Sequence, residues 1–271
     1  MSLHRQHVSP ISQGWLRAVI LLVVYISLSI VAGMLLPTFE TWITFNLVAA
    51  FALVYLFRKY ADKKSFSGIG FDFSQFYPDA LVGACLGICL ICAGSLLILY
   101  LDGMEWIDIA PNLRELFNSA MIMLMVAVAE ELVFRGYVLR NLMKSVNKWL
   151  ALFLSALLFT AVHLTNPEVP ATGLLNTFLG GLLLGITFIN TRKLWLPVSF
   201  HFFWNFMQGP VIGFPVSGIA FDSLLVLEPK GNPLISGGNY GFEASLVCSL
   251  LLLIAFIVWS YFESKRSYST Y

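Results

Sequence analysis

The chain has 271 residues, of which 58% are apolar, 15% aromatic and only 11% charged, and its mean hydropathy is +0.81. Soluble domains run about 45–50% apolar and about 25% charged, so a water-soluble globule is excluded and a polytopic membrane protein fits. Sixteen Lys and Arg against 15 Asp and Glu leave a net charge of +1, which excludes the broad basic surface of a nucleic-acid-binding protein.

A membrane helix needs about 20 mostly apolar residues. Apolar runs bounded by charge, Pro or Gly predict eight of them, at about 15–36, 42–57, 77–101, 117–139, 149–165, 173–190, 194–210 and 244–262. The expectation is an all-α bundle of about eight transmembrane helices forming a single integral membrane domain over 1–271. The run from Ala18 to Leu36 is longer than the apolar core of a signal peptide and lacks a small-x-small cleavage site after it, so it is expected to be retained.

Charge supports this count, because short cytoplasmic loops carry the excess of Lys and Arg. With both termini cytoplasmic, 14 of the 16 basic residues fall on the inner side, and only Arg114 and Lys230 fall outside. The outer loops are acidic, with Glu105, Asp108, Glu228 and Glu243 among them. The plasma membrane is the expected location. The longest connection, Gly209 to Gly241, is rich in Gly and Pro and reads as a structured cap or a re-entrant segment. Cys85, Cys89, Cys92 and Cys248 all sit in apolar runs and are expected to be small buried hydrophobes.

Ionisable side chains at bilayer depth are costly, so the few that occur there are functional candidates. They form three groups. Glu130, Glu131 and Arg135 lie in the fourth span, Phe159 and His163 in the fifth, and His201 and Asn205 in the seventh. Phe159 with His163, and His201 with Asn205, are four apart and share a helix face. A polar cavity among helices 4, 5 and 7 follows. Read blandly, Glu131 and Arg135 neutralise one another and the remaining polar groups are packing hydrogen bonds. Two carboxylates, two histidines and an amide confined to three spans exceed what packing needs.

A carboxylate and a histidine can activate water for attack on an amide, while a second His with an Asn donates hydrogen bonds to the oxyanion. No Ser or Cys nucleophile with an evident base motif appears in the spans, which disfavours a covalent route. Glu and His are also ordinary zinc ligands, so zinc is the alternative. The H-E-x-x-H helix of zinc proteases is absent. The metal-free reading is preferred, with no cofactor.

The Glu-Glu-x-x-x-Arg at Glu130, Glu131 and Arg135, the Phe-x-x-x-His at Phe159 and His163, and the His-x-x-x-Asn at His201 and Asn205 stand in one order and spacing. In this the chain resembles the family of CAAX proteases and bacteriocin-processing enzymes, as a prokaryotic member. Leu194-Trp195-Leu196-Pro197 ahead of His201 is also similar, and the likeness spans a core of about 117–210. The resemblance implies an eight-helix intramembrane glutamic endopeptidase in which Glu130 and His163 activate water. It further implies that His201 and Asn205 form the oxyanion site, Glu131 and Arg135 support it, and Phe159 shapes the cavity. The expected substrate is a membrane-bound or peptide chain entering from the bilayer.

The competing class is a non-catalytic scaffold or immunity protein holding a membrane-protein partner. A proton-coupled transporter is a third reading, without the inverted repeats or broken helices usual for one. The pairs Gly83 with Gly87 and Gly181 with Gly185 suit close packing inside one subunit, or a homodimer.

Overall fold

The computed structural model describes the backbone of residues 11–268 and the side chains of 11–262. Arg5, Lys265 and Arg266, three of the basic residues assigned to the inner side, lie outside the described side chains. Among the described residues, eight long helices stand where the apolar runs predict them. They are α1 (Gly14–Leu35), α2 (Phe39–Leu56), α3 (Phe76–Tyr100), α4 (Leu113–Glu131), α5 (Lys148–Val162), α6 (Ala171–Thr191), α7 (Trp195–Phe206) and α8 (Leu246–Tyr268). Counting continuous helix, six of them are long and apolar enough to cross a membrane, α1 to α6, whereas Leu246–Phe262 is a shorter apolar helix. The protein is a multi-pass membrane protein of nearly all-α architecture.

Polar side chains start several helices where the sequence supplies them. The Thr38 hydroxyl accepts from the Thr41 N–H in a reciprocal box, Asn112 caps α4, and Asn147 accepts from both Trp149 and Leu150. Three helices run on as π-helix: α2 through Phe57–Ala61, α4 through Leu132–Leu139 and α7 through Met207–Val211. Such wider turns are rare and cluster at functional sites. The longest of them follows Glu131 directly and carries Arg135, with all eight of its residues buried.

Glycines set the closest helix contacts. A Cβ on Gly87 would stand 2.9 Å from both the Phe200 carbonyl oxygen and the Trp204 nitrogen, and Gly83 meets the backbone of Leu196 and Phe200. Thus α3 lies against α7 backbone to backbone, and Ser199 Oγ donates to the Ala80 carbonyl at 2.6 Å across the same seam. Gly181 faces Ala156 and Gly185 faces Leu152, closing α6 on α5. All four glycines are therefore used inside one subunit.

This seam also corrects the reading of the cysteines. With its glycine face turned to α7, α3 directs Cys85 and Cys89 outward, where both are exposed; Cys248 alone is fully buried. An apolar run shows that a residue avoids water, yet a lipid-facing surface satisfies that as well as a core does.

The basic and acidic ends of the bundle are distinct. At one end Asp62 pairs with Arg17 at 3.2 Å and Lys144 at 3.4 Å, Arg58 donates to the Ser65 carbonyl, and Arg140 donates to that of Ile69. At the other, Met104–Ile109 (β1) and Leu225–Pro229 (β2) pair antiparallel, and Lys230 pairs with Glu105. The Gly209–Gly241 connection is a structured cap. It carries β2 and a one-turn helix Pro233–Ser236, and it buries Phe214 and Tyr240.

Candidate active site

Glu131 and Arg135 are 0% and 1% exposed, and Arg135 Nη1 donates to Glu131 Oε1 at 2.8 Å. Its Nη2 donates to the Gly181 carbonyl of α6 at 3.2 Å, and its guanidinium lies 4.5 Å from the ring centre of Phe159 on α5. One buried arginine therefore ties α4, α5 and α6 together. The same Glu131 Oε1 is 2.9 Å from His201 Nδ1 on α7. A carboxylate only accepts, so Nδ1 carries the proton and Nε2 is turned away. Nε2 stands 3.9 Å from Glu130 Oε2.

His163 sits at the C-terminal end of α5, in the short turn His163–Thr165. Its Nδ1 is 2.7 Å from the Phe159 carbonyl, which again accepts only, so Nε2 of the neutral ring is the bare, basic nitrogen. Phe159 lies between the groups, tilted against the His163 ring at 4.6 Å and edge-on to that of His201 at 6.4 Å. Asn205, one turn after His201, is 5% exposed.

The structure thus brings Glu130, Glu131, Arg135, Phe159, His163 and His201 into one region built from α4, α5 and α7, with α6 closing it, while Asn205 is buried one turn further along α7 and among the described residues no hydrogen bond joins it to them. Among the described residues Glu130 forms its ion pair with His201, and none joins it to His163. No three His, Cys, Asp or Glu side chains among the described residues converge in a geometry that would hold a metal ion. A cavity of about 60 Å³ opens beside the histidines, and its wall takes in Phe159, His163 and His201. Glu130, Glu131 and Asn205 stand outside that wall.

Sequence reading missed part of this neighbourhood. Asn176 of α6 lines the cavity and donates to the carbonyls of Glu243 and Ser245, while Ser217 of the cap and Glu243 just after it complete that side. Asn176 carried a signal, being an amide in the middle of an apolar run. Glu243 carried none, since carboxylates are ordinary in outer loops.

The fold and this site define the class: a helical membrane protein with a buried Glu–Arg–His network beside a small cavity. Residues 112–207 match the family model described as type II CAAX prenyl endopeptidase Rce1-like. All seven motif residues fall inside that segment, and the match supports an intramembrane protease function of the CAAX type. No curated protein matches the chain.

Proposed function

We propose that this protein is an intramembrane endopeptidase that hydrolyses a peptide bond of a membrane-bound or peptide substrate through an activated water, without a metal or other cofactor. The observation that carries the reading is the double use of Glu131. Its fully buried carboxylate holds Arg135 and His201 Nδ1 at once, which fixes the His201 ring and presents Nε2 to Glu130. Purely structural pairing of Glu131 with Arg135 would not need a histidine aimed at a second carboxylate.

In this mechanism Glu130 takes a proton from water while the bare Nε2 of His163 orients it, and the water oxygen attacks the carbonyl carbon. Protonated at Nε2, His201 donates to the developing oxyanion, and Asn205 supplies the second donor. Glu130 then passes its proton to the leaving amine. All eight long helices are assigned as membrane crossings, with both termini cytoplasmic, in the plasma membrane.

The test compares new peptide termini in membranes and medium from cells expressing the parent, Glu130→Gln or His163→Ala in matched amounts. A cleavage product that vanishes in both variants is expected, with a rate loss of about 100-fold or more for loss of a general base. Identical termini in all three strains would overturn the protease reading in favour of a binding role.

A further inference from the structure

The cavity beside His163 and His201 also has a carboxylate in its wall. Glu243, in the turn Phe242–Ala244 between the cap and α8, lines it together with Ser217, Asn176 and Thr177. Glu243 Oε2 accepts from the Ser217 N–H at 2.8 Å and from the Ser217 hydroxyl at 2.9 Å, so the carboxylate is held in one orientation. Asn176 secures the backbone beneath it, donating to the carbonyls of Glu243 at 2.7 Å and Ser245 at 2.8 Å while accepting from Ser249 Oγ at 2.6 Å. Thr177 donates to the Gly173 carbonyl. The donors of Asn176, Thr177 and Ser217 are therefore spent within the chain. What is left to meet a ligand is the two imidazoles, the Cys248 thiol and the second carboxylate oxygen of Glu243.

Glu243 has no counter-cation, since none of the ion pairs among the described residues includes it. Glu105, at the same end of the bundle, is neutralised by Lys230. The rest of the cavity wall is largely apolar, with Leu184, Phe200, Trp204 and Leu252. Protonated His201 in the same wall is balanced, together with Arg135, by Glu131 and Glu130, so the Glu243 carboxylate is the charge that remains uncompensated beside the cavity. At about 60 Å³ the space admits waters or the tip of one side chain, so charge preference here acts on a single residue of whatever enters.

We propose that Glu243 is a specificity-determining residue that receives a cationic group of the substrate, a lysine or arginine side chain or a free α-amino group, beside the His163 and His201 pair. The word substrate rests on the protease reading; the preference for a cation rests on the cavity alone. A substrate presenting its C-terminal carboxylate at this position would meet like charge. Cleavage is accordingly directed to an internal bond near a basic side chain.

The test uses the full-length protein in lipid nanodiscs and three apolar peptides identical except for one central residue, Lys, norleucine or Glu. Binding to the parent is expected to be about tenfold tighter for the Lys peptide than for the norleucine peptide, as for a close charge pair in a partly desolvated site. Glu243→Gln should bring the two within about twofold of each other, and Glu243→Lys should favour the Glu peptide. Ser217→Ala, which removes the hydroxyl bond to Oε2 and leaves the backbone one, should weaken the preference without abolishing it, and serves if the Glu243 variants fail to fold. Equal binding of the three peptides by the parent, no binding of any, or a preference that survives these substitutions would overturn the proposal. The same preparations are assayed for cleavage. Charge-selective binding without cleavage keeps this inference and sinks the protease reading; cleavage without charge selection does the reverse.

Discussion

Arg135 is a charge taken wholly out of water, and burying a guanidinium costs several kcal/mol unless it is paired and hydrogen-bonded. Glu131, the Gly181 carbonyl and the Phe159 face together supply that compensation. Arg135→Ala leaves Glu131 with His201 as its one partner, and should destabilise the protein by about 3–5 kcal/mol. Arg135→Lys keeps the charge and still loses the fork that reaches Glu131 and Gly181 together, so it should recover only part of the loss. Unfolding midpoints in detergent micelles measure both, and a loss under about 1 kcal/mol for the alanine variant would show that the pair is dispensable. These residues were legible in the sequence for the same reason that they are costly, because an ionisable group inside an apolar run stands out. Who bonds whom was not legible. Spacing suggested the Glu131 and Arg135 pair four residues apart, whereas the Glu131 to His201 contact joins residues 70 apart in the chain.

Among the elements, α7 carries both His201 and Asn205, and its position is set by how closely α3 approaches it. Gly87→Ala places a methyl 2.9 Å from two backbone atoms of α7, which cannot swing aside as a side chain would. Overpacking of this kind costs about 1–3 kcal/mol, against a gain of up to about 1 kcal/mol from replacing Gly in a helix. The clash wins, and proteolysis should fall with stability because α7 is displaced. Gly180→Ala is the matched control. Nothing lies within 4 Å of a Cβ there, so only the propensity gain remains and the variant should be as stable as the parent or slightly more so. Equal unfolding midpoints for the two variants would refute the backbone seam. Helix positions were readable from apolar length, and the pairing of small residues from their spacing. The π segments and the β1 with β2 pairing were not readable, since their hydrogen bonds depend on tertiary packing or on partners about 120 residues away.

At the scale of the molecule, the inner and outer loops inferred from charge separate in space. Arg17, Arg58, Arg140 and Lys144 gather around Asp62 and the 65–69 turn at one end, while β1, β2 and the cap with Glu243 occupy the other. Such a distribution orients a membrane protein, because basic loops are retained on the cytoplasmic side. In the orientation proposed above, with both termini cytoplasmic, the Glu243 end of the cavity faces the outer surface, so a basic peptide would reach it from there. Two exposed positions test this orientation after the four native cysteines are replaced: Ser67→Cys at the basic end and Asp222→Cys at the acidic end. A membrane-impermeant maleimide applied to intact cells should label Asp222→Cys and spare Ser67→Cys until the cells are opened. The reverse pattern would invert the topology. It would leave the contacts among Glu130, Glu131, Arg135 and His201 untouched, because those depend on helix packing alone, and would turn the cavity toward substrates from the cell interior.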